Sequence, residues 1–178
     1  VFCHQETGGH WTFERDKAVI GWCSENQVEF REWNQFGVVR RLSDRDVWDR
    51  AWTELMRQPV LEAPTAIPTS DTLKTDWAAE NSQGFEVPDS CSFLDRRCVG
   101  YQYNISSPNT AVRACSRLSP HIAYGTVSLR EIYQEAKATG NHRNTLPRKR
   151  KSLTSFRSRL HWHCHFIQKL EDEPELEF

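Results

Sequence analysis

The chain has 178 residues, of which 38% are hydrophobic and 26% charged, enough for one ordinary domain with a buried core or for a small unit and part of another. Lys and Arg total 23 against 24 Asp and Glu, a net charge of -1, which excludes a globally basic nucleic-acid coat and leaves local patches open. No apolar stretch approaches the ~20 residues of a membrane span and no secretory leader pattern is visible; six scattered cysteines in a chain that folds without staples imply a reduced, intracellular protein.

Val1 to His4 is a short apolar run closed by the polar, glycine-rich Gln5-Glu6-Thr7-Gly8-Gly9, and it predicts the end of a buried strand. Trp11 to Glu25 sets Phe13, Ala18, Ile20, Trp22 and Cys23 among charges with helical spacing, and Val28, Phe30 and Trp33 predict a second strand. Strand, helix, strand is a βαβ-like unit. Two strands cannot cover their own hydrophobic faces, so such a unit normally belongs to a larger parallel sheet. That incompleteness, with Val rather than Met at position 1, leads to the expectation of a fragment.

Ser43-Asp44-Arg45-Asp46 can open a helix, the Ser hydroxyl accepting from a free first-turn amide, with Trp48, Trp52 and Leu55 on one face. Pro59, Pro64, Pro68 and Pro88 among small and polar residues predict an interdomain connection. The expected units are therefore residues 1–42, the end of an α/β domain; 43–88, a helix and proline-rich linker; and 89–178, a helical domain. Within the last, Ser107-Pro108 predicts a cap and first-turn proline, and Ser128-Leu129-Arg130-Glu131 a capping box for a helix running to Gly140. Ser152 is the expected cap of the final helix, whose Leu153, Phe156, Leu160, Ile167 and Leu170 follow a helical period up to a stop near Pro174. Cys91 and Cys98 stand six residues apart, not a usual zinc spacing, and no metal site is expected.

Chemistry concentrates in Ala114-Cys115-Ser116-Arg117-Leu118-Ser119-Pro120-His121. Hydroxyls, a guanidinium and a helix start within a few residues suit a phosphate or pyrophosphate, and equally suit a well-capped turn between two helices. From Cys115 to Arg130 the segment resembles the Thr-Ser-x-Leu-Ser-Pro-Tyr/His motif, with its following Gly and Ser-Pro-Arg, of the DNA photolyase and cryptochrome flavoproteins. The likeness is tight over 101–130, moderate over 1–58 and 156–174, and weak in the linker.

The resemblance implies a mainly α-helical FAD-binding domain, incomplete here, preceded by the α/β remnant of a nucleotide-binding-like antenna domain. It implies FAD held by Tyr103, Cys115, Ser116, Arg117, Leu118 and Ser119, with Cys115 in place of the usual Thr and so a weak thiol donor in place of a hydroxyl. A second antenna chromophore of unknown identity would be in keeping with the family. The family's Trp-Arg-Glu/Asp-Phe helix corresponds to Trp162-His163-Cys164-His165-Phe166, where Trp162 would stack on the damaged base pair and His163 replaces a flavin-contacting Arg. Arg159 occupies the place of a lesion-contacting Glu or Gln. Trp162 and Arg159 are thus the expected catalytic residues of a deoxyribodipyrimidine photolyase-like lyase.

The implied activity is FAD-dependent, light-driven repair of pyrimidine photoproducts in DNA, with damaged DNA as partner, no membrane and a monomeric protein. A cryptochrome-type blue-light photoreceptor without repair is the alternative, and a cofactor-free helical nucleic-acid-binding module a third. The family's flavin domain continues beyond the Trp-bearing helix, so these 178 residues alone are expected to hold FAD weakly and to be inactive. Charge adds to the picture: Asn141 to His165 carries seven cations and no Asp or Glu, and Arg148, Lys149, Arg150 and Lys151 are expected to follow a DNA backbone. His161 and His165, one helical turn apart, are expected to tune the flavin pocket or face the DNA rather than bind zinc.

Overall fold

The computed structural model of the chain describes residues 1–62, 64–66 and 93–178; Cys91 and most of the proline-rich connection, Pro68 and Pro88 included, lie outside the described residues. The described chain is mainly helical, with one small sheet. Strands β1 (Phe2–His4) and β2 (Arg31–Trp33) pair in parallel, Phe2 opposite Arg31 and His4 opposite Trp33, and helix α1 (His10–Glu25) is the crossover between them. The Gly8-Gly9 stop works as its composition requires: the Gly8 amide donates to Glu6 Oε1 at 2.7 Å, and the Gly9 carbonyl accepts the first free amides of α1. Arg40 fastens the unit by donating to the Glu6 carbonyl and, at 3.2 Å, to Glu32. Of α1 only Cys23 is buried; Trp11, Phe13, Ile20 and Trp22 stay exposed, as do Phe2 and Trp33 of the sheet.

Helix α2 (Trp48–Arg57) follows a 3-10 turn at Arg45–Val47. That turn is capped by Asp44 rather than Ser43, the Asp44 carboxylate accepting Asp46 N at 2.9 Å, while α2 itself has no side-chain cap. Trp48, Trp52 and Met56, spaced one turn apart, are its buried face. After a π-helical turn at Phe93–Arg97 come α3 (Tyr101–Asn104), α4 (Pro108–Ala114), α5 (Ser119–Ala123), α6 (Leu129–Asn141) and α7 (Pro147–Asp172), closed by a 3-10 turn at Pro174–Glu177. Ser107 and Ser128 occupy the expected cap positions, but neither side chain makes a cap hydrogen bond.

The start of α7 corrects the expectation of a Ser152 cap. The helix opens at Pro147, whose missing amide is no loss at a first position. Ser152 lies inside it, fully buried, and its hydroxyl accepts the Gly100 amide at 3.0 Å. Gly100 has φ +89, a left-handed conformation that glycine adopts without penalty. A hydroxyl that reads as a local cap therefore satisfies a distant loop.

The core gathers on the inner face of α7. Leu153, Phe156, Leu160 and Cys164 meet Ile132 and Ala136 of α6, Trp48, Trp52 and Met56 of α2, and Phe93, Leu94 and Tyr101. Phe156 stands edge-on between Phe93, ring centroids 4.8 Å apart, and Tyr101 at 5.6 Å. Gln168, also fully buried, accepts Val39 N at 2.7 Å and donates to Val39 O at 3.0 Å and to Asp172 at 2.7 Å. That amide ties the far half of α7 to the segment after β2. Cys3, Cys23, Cys98, Cys115 and Cys164 are free thiols. No helix among the described residues is long and apolar enough to cross a membrane.

Candidate nucleic-acid and phosphate interface

With its inner face committed to the core, α7 turns the opposite face outward. Arg148, Ser155, Arg159, Trp162 and Phe166 recur on it at steps of seven, four, three and four residues, which places them in one stripe about 27 Å long at 1.5 Å per residue. The Arg159 guanidinium lies 4.5 Å over the Trp162 ring, and Phe166 meets that ring edge-on at 6.2 Å. Trp162 is 45% exposed. Beside it a cavity of about 170 Å³ is lined by Gln102, Ile105, Ser155, Ser158, Arg159 and Trp162.

Tyr101 is buried behind this cavity, and burial raises the pKa of its phenol, the charge of Arg159 opposing the shift and Cys115 adding to it. Tyr103 is 64% exposed with the Arg148 guanidinium 5.8 Å over its ring. Sequence reasoning passed over Tyr101 and Gln102, and a Tyr-Gln-Tyr run on a helix of four residues carries no local sign of which side chain turns inward.

The 115–119 turn has a backbone that its sequence does not announce. Arg117 has φ +62, left-handed for a residue with a side chain, and Leu118 follows in the right-handed helical region. Successive residues of opposite hand turn their amides toward one concave nest, the geometry that holds phosphate oxygens. Ser116 supports the turn by accepting Leu118 N at 3.3 Å, while Arg97 donates to the Ser116 carbonyl. Leu118 is buried and anchors the turn; Ser119 is exposed at the first position of α5. The Cys115 thiol and the Arg117 guanidinium both point back to the Val112 carbonyl, at 3.8 and 3.5 Å.

The basic cluster divides. Lys149 donates to the Asp95 carbonyl at 3.1 Å and Arg150 to the Gly140 carbonyl at 3.0 Å, so these two brace neighbouring loops. Arg148 and Lys151 are exposed. All four lie in the opening turns of α7, which has no acidic residue in its first turn, and cations there oppose the helix dipole at about 0.3–1 kcal/mol each. An anionic partner would relieve that conflict.

The histidines also divide. His161 Nε2 donates to the Asp49 carboxylate at 2.8 Å, and its ring lies 4.9 and 4.7 Å from the rings of Trp48 and Trp52, with His165 5.6 Å from Trp48. These imidazoles join α7 to α2. Among the described residues no group of three or more His, Cys, Asp or Glu is arranged to hold a metal ion.

His163 packs edge-on against Phe36 at 5.0 Å, and burial lowers its pKa. A depressed folded value means that the unfolded chain binds the proton more readily, so this contribution is complete above the unfolded value of about 6.5 and is lost as pH falls through the folded value. The urea midpoint is expected to fall between about pH 7.5 and 5.5, and His163→Phe to flatten that fall. An unchanged pH dependence in the variant would remove His163 as its source.

No protein-family model, curated protein or solved structure matches the chain.

Proposed function

We propose that the chain works in flavin-dependent, light-driven repair of pyrimidine photoproducts in DNA, in the manner of a photolyase. The observation that supports this reading is the outer face of α7, where the Arg159 guanidinium lies 4.5 Å over a Trp162 ring that is 45% exposed, in line with the exposed Arg148. The Arg117 and Ser119 amides with the Ser119 hydroxyl would hold the cofactor's diphosphate. FAD, when bound in its reduced form, would supply the light-driven electron that opens the dimer and take it back once the ring has split. Arg148 and Lys151 take strand phosphates, each contact adding salt-dependent affinity. Trp162, half exposed at the other end of the stripe, offers a flat indole on which an extruded base stacks, an interaction of about 1–3 kcal/mol.

The reading is tested in cells that carry the full-length protein, since the 178 residues alone are expected to hold FAD weakly and to be inactive. Blue light after ultraviolet exposure is expected to clear thymine dimers from DNA, and Trp162→Ala to slow that clearance about tenfold, as the loss of roughly 1.4 kcal/mol of stacking requires. A protein isolated from those cells without flavin absorbance overturns the reading; DNA binding by such a preparation would instead identify a cofactor-free module. One observation favours a second reading. The Arg159 guanidinium already occupies a face of the Trp162 ring, which suits a cryptochrome-type photoreceptor, and flavin absorbance without dimer clearance would establish that reading.

A further inference from the structure

Between α2 and α6 lies an open cleft of about 330 Å³, within the ~300–1,000 Å³ range of small-molecule sites and apart from the outer face of α7. Met56, the Tyr133 ring and Ala138 give it apolar surface. Arg57 comes to it from the last turn of α2 and Lys137 from α6, so two cations reach it from opposite walls. Both are exposed, no carboxylate lines the cleft, and neither has an ion pair or a hydrogen bond among the described residues. A cation in a last turn ordinarily finds the helix's terminal carbonyls. Those of α2 are already taken, because the Gln134 amide donates to the carbonyls of Met56 at 2.9 Å and Gln58 at 2.6 Å. The Tyr133 ring is held edge-on by Trp52 at 5.1 Å, and the Arg157 guanidinium, 5.6 Å over it, adds a third positive charge on that side.

We infer that this cleft binds a small organic anion, a carboxylate carried on an apolar ring, at a site separate from the α7 face. The carboxylate directs its two oxygens to Arg57 and Lys137, each a charge-assisted hydrogen bond, and the ring lies on Met56 and Tyr133. The two halves of the cleft select together. An inorganic anion gains the charge and leaves the apolar wall in water, whereas a neutral ring covers the wall and leaves both cations without a partner; an organic cation is repelled by Arg57, Lys137 and Arg157 alike. Tyr133 is held between Trp52 and Arg157, and Gln134 by two carbonyls. The walls are therefore in place before the ligand arrives, which spares the cost of ordering them on binding. The inference is independent of the flavin and nucleic-acid readings and stands or falls without them.

The test is calorimetric titration and thermal melting of the chain with cinnamate and with its neutral analogue, cinnamyl alcohol. Cinnamate is expected to bind and to raise the melting temperature progressively with its concentration, and the alcohol to bind about tenfold more weakly, as the loss of one charge-assisted hydrogen bond requires. Lys137→Gln should weaken cinnamate about tenfold and leave the alcohol unchanged. Ala138→Trp fills the cleft from an exposed position on α6 and should abolish binding of both, which separates this site from adventitious binding at the exposed Trp11 and Trp22. Should the tryptophan variant fail to fold, Arg57→Gln carries the test, with the same expectation as Lys137→Gln. Equal affinity for cinnamate and the alcohol, cinnamate binding that survives in a folded Ala138→Trp or in both glutamine variants, or no binding of cinnamate at millimolar concentration overturns the inference.

Discussion

Phe156→Ala is expected to remove about 3–5 kcal/mol of folding stability, the usual cost of emptying a phenylalanine site. Against the ~5–15 kcal/mol that holds an ordinary domain together, this is from about a fifth to all of the folding stability. The site cannot easily collapse to fill the hole. Its walls are the rings of Phe93 and Tyr101, both buried and both fixed edge-on to Phe156, and Phe93 sits on a π-helical turn whose backbone is already committed. The loss also reaches the functional face, because Tyr101 depends on Phe156 for one wall. Urea unfolding followed by far-ultraviolet circular dichroism measures the effect; a midpoint within error of the wild type would show that Phe156 is not central to the core. Phe156→Leu should cost far less, under about 1.5 kcal/mol where the core can repack.

Gln168→Leu is expected to destabilise by about 2–6 kcal/mol. The variant leaves the Val39 amide and carbonyl without the partners they now have, at about 1–3 kcal/mol for each buried group orphaned. The Asp172 carboxylate loses a donor as well. Thermal melting measures it, and a variant at least as stable as the wild type would contradict the assignment. Gln102→Leu is expected to have the opposite sign and raise the melting temperature, because both amide atoms of Gln102 are buried with no hydrogen-bond partner. At 168 the amide satisfies three groups and its removal strands two of them on the backbone; at 102 it satisfies none, and its removal strands nothing. Burial alone does not predict either result.

The βαβ unit was legible because its signals are local. Gly8-Gly9 interrupts the first strand, and the spacing of the α1 residues has a helical period. The order of helices beyond residue 100 was legible for the same reason, since Pro108 and Ser128 mark helix starts within their own few residues. The start of α7 was not. Serine carries the same capping chemistry whether or not it is used locally, and what decided the role of Ser152 was Gly100, a partner 52 residues away. The candidate site shows the same division. Hydroxyls and cations of the 115–119 turn can be read from the sequence, but the left-handed Arg117 that orients its amides cannot, because a non-glycine residue enters that region only under tertiary constraint. Nor could sequence separate Lys149 and Arg150, held by carbonyls, from Arg148 and Lys151, which face outward.

The carboxylate of Glu177 accepts the His10 amide, joining groups 167 residues apart in sequence. A contact between such remote positions cannot help nucleate folding, since its loop-closure entropy must be met before it returns anything. The local pairing of α6 with α7 is available much earlier. The clasp closes after its two halves have formed, and a thermal opening that begins there leaves the Gln168–Val39 and Phe36–His163 contacts as the remaining ties between α7 and the segment after β2.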